Sequence, residues 1–105
     1  MKPLFHPRVD DLDLSTVLYA CADPTRLRLL AEINTDPGKT CGSFETELSK
    51  STLSAHFKVL RESGLIRQEL GPGNSRLNWP RTAEVQSRFP DIISAILKSA
   101  ARSQG

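Results

Sequence analysis

The residues best suited to chemistry lie between positions 50 and 76. Lys50, Ser51, Ser54, Ala55, Lys58 and Arg61 recur beside His56 in one stretch. Leu53, Phe57 and Leu60, spaced four and three apart with Val59 beside them, predict a helix from Lys50 to about Ser63. Lys50, Ser51, Ser54, Ala55, Lys58, Arg61 and Glu62 then share the face opposite that stripe. Short polar side chains let a helix backbone approach a partner closely. Longer donors reach base edges and phosphate oxygens. Farther on, Asn74, Ser75 and Arg76 sit at a turn, placed for an adjacent backbone or minor groove. This is chemistry for holding a polyanion. The same residues also suit a plain solvated face, and charge alone does not choose.

The charge distribution narrows the choice. The chain has 105 residues and a net charge of +2, a value that by itself points to no partner. Residues 1–49 carry −3, residues 50–81 carry +4 and residues 82–105 carry +1. The positive charge therefore coincides with the polar helix and the segment after it. Hydrophobic residues at 38% and charged residues at 25% are ordinary for one globular domain, which residues 1–105 are expected to form. No apolar run approaches the roughly 18 residues that cross a bilayer. Met1 to Val9 shows no secretory signal, so a cytoplasmic protein is expected, with no membrane partner.

The elements that must position these residues follow from periodicity and punctuation. Pro3 and Pro7 make residues 1–9 an extended arm. Leu14, Val17, Leu18 and Cys21 mark a first helix. Asp23-Pro24 caps and starts a second, carried by Leu27, Leu30 and Ile33 and closed by Asp36-Pro37-Gly38. The segment from Thr40 to Glu47 has room for two turns of helix. Ser49 caps the polar helix and Gly64 stops it. A short helix, a tight turn and a longer polar helix make a helix-turn-helix. The period then changes to two. Ile66, Gln68 and Leu70 form one strand and Leu77 and Trp79 the next, joined at Gly71-Pro72-Gly73-Asn74 as a hairpin. Thr82 caps a short helix from Ala83 to Arg88. Pro90-Asp91 starts a last one, with Ile92, Ile93, Ile96, Leu97 and Ala100 as a wide apolar stripe. That stripe either caps the core or meets a second copy. The fold class is mainly α with a small β-hairpin, a winged helix-turn-helix of order α-α-α-α-β-β-α(α).

Two blocks carry a family resemblance. Ala22-Asp23-Pro24-Thr25-Arg26-Leu27-Arg28-Leu29-Leu30 resembles the A-D-P-T-R-L-R-I-L signature of ArsR/SmtB-type transcriptional regulators. The run from Leu48 to Ile66 resembles that family's recognition helix, L-S-Q-S-T-V-S-x-H-L-x-x-L-R-x-A-G-L-V. The resemblance covers residues from about 12 to 100. It implies a homodimer, with residues 11–22 and 83–102 as dimerisation helices. It also implies binding of double-stranded DNA at a pseudo-palindromic operator, and repression released by an effector. Lys50, Ser51, Ser54, Ala55, His56, Lys58, Arg61, Asn74, Ser75 and Arg76 are the DNA-binding candidates. Ala55 departs from the family, which often has Arg or His there. His56 beside Phe57 also suits a half-buried packing role, and Ser51 and Thr52 also suit the helix cap.

The family's metal sites are not gathered here. One uses a cysteine pair before the recognition helix, where this chain has Cys41 alone. The other uses Asp and His on the last helix, where only Asp91 stands. Zinc needs four close ligands. No metal and no cofactor are therefore expected. Cys21 and Cys41 leave a redox effector open beside a small-molecule one, with Cys41 the more reactive if a helix N-terminus lowers its thiol pKa. The competing reading of Cys21 is a small buried hydrophobe. No nucleophile–base pair, phosphate loop or paired carboxylate suggests an enzyme. The alternative function is a winged-helix protein-interaction module without DNA binding.

Overall fold

The computed structural model describes residues 4–104, so the first three residues of the expected arm lie outside the described residues. Residues 4–8 have no regular structure and lead into a 3-10 turn at Val9–Asp11. Helix α1 spans Leu14–Cys21 and α2 spans Pro24–Thr35. Both start on an aspartate. Asp13 accepts from the Thr16 backbone N–H and Asp23 from that of Arg26, each at 3.0 Å. These bonds satisfy donors that a helix start leaves orphaned. Pro24 occupies the first turn of α2.

Helix α3, Lys50–Glu62, starts on Ser49. It ends where Gly64 adopts φ +90°, a left-handed conformation that side chains disfavour. A β-carbon at Gly64 would also collide with the side chain of Leu12. Strands β2, Ile66–Leu70, and β3, Arg76–Pro80, form the expected hairpin. Helices α4, Thr82–Arg88, and α5, Ile92–Gln104, complete the chain. Thr82 is the first residue of α4 rather than its cap. Arg81 holds the cap position without a side-chain cap bond and pairs with Glu84 at 2.7 Å instead.

Two expectations are corrected. The helix expected over 40–47 does not form. Lys39–Thr40 is a short strand, β1, and Cys41–Ser43 is a 3-10 turn. Thr, Cys, Gly and Ser are weak helix formers in series. The backbone here finds partners in the sheet instead, starting with the Gly38 N–H on the Asn78 carbonyl at 2.7 Å. The hairpin thereby gains a third strand, in the order β1-β3-β2 and all antiparallel. The second correction concerns the inward face of β3. Leu77 and Trp79 were its expected apolar face, yet Asn78 is the fully buried residue. Trp79 lies on the other face, against Gly38 and under the Arg67 guanidinium at 5.7 Å.

The core is built from Val17 and Ala20 of α1, Leu29, Leu30 and Ile33 of α2, Phe57 and Leu60 of α3, and Leu65, Ile66, Val85 and Ile93. Phe44 joins it through an edge-to-face contact with Phe57 at 5.3 Å, which pins the 3-10 segment to α3 without a helix. The apolar stripes of α1 and α5 divide between core and surface. Val17, Cys21, Ile93 and Ala100 turn inward, while Leu14, Leu18 and Tyr19 are exposed. Leu27, Ala95 and Ile96 line an open groove of about 460 Å³ between α2 and α5.

Candidate nucleic-acid interface

The polar face of α3 is held out by its apolar one. Phe57 and Leu60 are buried, so Lys50, Ser51, Ser54, Ala55 and Lys58 are exposed on the far side. At the helix start, Ser49 Oγ accepts from the Thr52 N–H at 3.2 Å, and it lies 2.9 Å from the Thr52 hydroxyl and 3.2 Å from that of Ser51. Ser51 and Thr52 therefore share the cap network, yet both stay exposed.

The turn between β2 and β3 brings the second group in. Gly73 and Asn74 both take left-handed conformations, at φ +64° and +65°. Ser75 closes the loop by donating its hydroxyl to the Pro72 carbonyl at 2.8 Å. Asn74 and Arg76 are exposed at the tip. Between this tip and α3 runs an open cleft of about 520 Å³, lined by Ser54, Phe57, Gln68, Asn74, Ser75 and Arg76 together with Thr40, Cys41 and Gly42. Residues more than twenty positions apart thus meet on one surface.

Two candidates are placed differently. Arg61 is only 7% exposed. Its Nη1 donates to Gln68 Oε1 at 2.7 Å and its Nε to the Phe5 carbonyl at 3.2 Å. The guanidinium ties α3 to β2 and to the N-terminal segment, within electrostatic reach of the exposed Arg76. His56 is half-buried on the flank of α3, with Nδ1 at 3.4 Å from Arg26 Nη1 and 3.9 Å from Asp23 Oδ2.

Gln68 and Asn78 are the residues that sequence reasoning passed over. They face each other across the hairpin. Gln68 Nε2 donates to Asn78 Oδ1 at 2.9 Å, and Asn78 Nδ2 donates to the Lys39 carbonyl at 3.0 Å. With Arg61 they form a buried polar chain from α3 to β1, in which every bond rigidifies the placing of the turn. Their signal was their position, since two amides alternate in register with Ile66 on the inward side.

Cys41 closes this chain. Its Sγ accepts from Asn78 Nδ2 at 3.3 Å and Gln68 Nε2 at 3.5 Å. Burial pushes the Cys41 thiol up from its ordinary value, outweighing the Asn78 bond. That is opposite to the direction expected for a thiol at a helix start, because a single 3-10 turn supplies little dipole. Cys21 is buried, and burial raises its thiol too, against the opposing charge of Arg26. Among the described residues, no group of three or more His, Cys, Asp or Glu is placed to hold a metal. No helix among them is long and apolar enough to cross a membrane.

Residues 22–69 match the helix-turn-helix domain family model. The match spans α2, β1, the 3-10 segment, α3 and nearly all of β2. It supports a DNA-binding helix-turn-helix regulator, and a mainly helical fold with a small three-stranded antiparallel sheet fits the winged form of that domain. No curated protein matches the chain.

Proposed function

We propose that the protein is a sequence-specific transcriptional regulator of the ArsR/SmtB type that represses by binding a pseudo-palindromic operator as a homodimer. The observation that carries this reading is the shared surface of α3 and the β2–β3 turn. Lys50, Ser51, Ser54, Ala55 and Lys58 project from one helix face, and Asn74, Ser75 and Arg76 stand beside them across a cleft. A helix of 13 residues is about 20 Å long, enough to lie in a major groove while the turn reaches the neighbouring backbone. Lys50, Lys58 and Arg76 then serve as phosphate contacts. Ser51, Ser54 and His56 approach base edges, and the Ala55 methyl offers only apolar contact with thymine. Arg61 acts from inside, by holding the turn at its angle to α3.

The homodimer is supported by Leu14, Leu18 and Tyr19, exposed on α1, and by the apolar groove beside α5. A second copy would cover both and set two α3 helices about one DNA turn apart, ~34 Å. A salt titration on operator-length duplex tests the reading. Three phosphate contacts per protomer predict that log K falls with log[salt] at a slope near −5 for the dimer. Replacing Lys50 and Ser54 together with Ala should weaken binding sharply at unchanged melting temperature. Binding that is absent, or independent of salt, would return the chain to a protein-interaction module.

A further inference from the structure

Arg26 is nearly buried, 8% exposed, and its guanidinium is almost fully assigned. Nε donates to the Ala20 carbonyl at 2.8 Å and Nη2 to the Tyr19 carbonyl at 3.1 Å. Both are carbonyls of the last turn of α1, where a helix runs out of its own donors; that of Tyr19 also accepts from the Ala22 N–H at 3.1 Å. The Tyr19 ring lies 5.1 Å from the guanidinium carbon and helps fix its plane. The remaining corner, Nη1, stands 3.4 Å from His56 Nδ1.

A guanidinium can only donate. For Nη1 to donate to Nδ1, that nitrogen has to accept, which makes it the unprotonated nitrogen of the neutral ring. Asp23 Oδ2, the other charged atom near Nδ1, lies 3.9 Å away and already accepts from the Arg26 N–H at 3.0 Å. At 3.9 Å it lies beyond hydrogen-bond reach of Nδ1, so in the neutral ring the nearer group is the Arg26 guanidinium. With Nδ1 bare, the neutral imidazole carries its proton on Nε2, for which the described residues supply no acceptor.

We propose that Arg26 is a positioning residue which locks His56 as a hydrogen-bond donor through Nε2, and so sets which base edges α3 accepts. The idea rests on the DNA-binding reading above and adds a rule to it. A donor at His56 pairs with guanine O6 or N7, adenine N7, thymine O4 or a phosphate oxygen. It is mismatched to the amino groups of cytosine and adenine. Arg26 touches no base; it acts from α2, with its other contacts on the end of α1.

The molecule contains its own contrast. His6 Nε2 accepts from the Gln68 N–H at 3.0 Å while its Nδ1 faces the Leu4 carbonyl at 3.1 Å, which requires the proton on Nδ1. The two histidines should therefore be opposite tautomers. Long-range ¹H–¹⁵N spectra of the DNA-free protein at pH 8 read this directly. The expected result is Nε2–H for His56 and Nδ1–H for His6. An Nδ1–H pattern at His56 overturns the proposal.

Arg26→Met should shift His56 toward a mixture while the His6 pattern, a report of intact folding, stays. An unchanged His56 in that variant overturns the role of Arg26. If Arg26→Met does not fold, the tautomer in the parent protein decides alone. On duplex DNA the folded variant should lose roughly fivefold in affinity for the preferred site, the worth of about one hydrogen bond, and lose less on unrelated sequence. An equal loss on both sequences overturns the specificity role. Failure of Lys50→Ala to weaken DNA binding would strike the DNA reading and leave the tautomer result standing.

Discussion

Arg61→Ala separates an internal tie from a DNA contact. The side chain makes a bond of 2.7 Å to Gln68 Oε1 and one of 3.2 Å to the Phe5 carbonyl. A buried hydrogen bond to a charged donor is worth about 1.5–3 kcal/mol, and a more ordinary one about 1 kcal/mol. Truncation also leaves Gln68 Oε1 without a donor in a buried place. The guanidinium's own desolvation cost is relieved, which offsets part of the loss. The balance is a destabilisation of about 2–4 kcal/mol, against the 5–15 kcal/mol typical of a domain. At about 4–8 °C per kcal/mol, the melting temperature should fall by about 8–32 °C. The second readout is the salt slope of DNA binding, measured below the lowered melting point. Each lost phosphate contact removes about 0.9 from the slope, hence about 1.8 from a dimer. Lys58→Ala should show that change and keep its stability. Arg61→Ala should show the lost stability and keep its slope. If Arg61→Ala melts like the parent and flattens the slope by about 1.8, the internal role is wrong and the residue belongs with the phosphate contacts.

Gly64→Ala should cost about 2–4 kcal/mol in urea denaturation, since φ +90° is strained for a side chain and the new methyl meets Leu12; a cost under 0.5 kcal/mol would mean the loop relaxes freely. His6 has a depressed pKa, chiefly from burial and also from Arg61, Arg81 and Arg67, with the Leu4 bond opposing. The unfolded chain therefore takes up the proton first. The stability His6 contributes is fully present above about pH 6.5 and is lost as pH falls from there toward the folded pKa. Urea midpoints should drop over that window in the parent and drop less in His6→Gln; equal slopes would refute the assignment. Asp23 and Glu84, held low by the Arg26 N–H and by Arg81 respectively, contribute in a separate and more acidic window, because their ordinary values are 3.8 and 4.5. Cys41 should react with iodoacetamide at pH 7.5 severalfold more slowly than free cysteine, because burial disfavours its thiolate; labelling at the free rate would reopen it as a redox sensor.

Local signals that a few neighbouring residues settle were legible in the chain. The caps Asp23 and Ser49, the Gly64 stop and the change of period after it all act within one helical turn, and the structure has each of them. The exposed face of α3 was equally readable, because Phe57 and Leu60 leave it only one orientation. The segment from Thr40 to Glu47 was not readable. Its conformation depends on β3, whose strand lies nearly forty residues later and offers backbone partners that a helix would forgo.

Tertiary structure alone divided the basic residues by task. Lys58 and Arg61 are three positions apart on one helix, and nothing in their types distinguishes them. The distinction comes from Gln68 and Phe5, which close over Arg61 and leave Lys58 in solvent. The same holds for His56, for which sequence left both DNA contact and half-buried packing open, and which meets Arg26 of α2 on the flank of α3. Sequence determined which face of α3 points outward, because hydrophobic periodicity is a property of the helix itself. Which of its polar groups remain free was decided by side chains distant in the chain, since a hydrogen bond needs its partner within about 3 Å and only the fold supplies that distance.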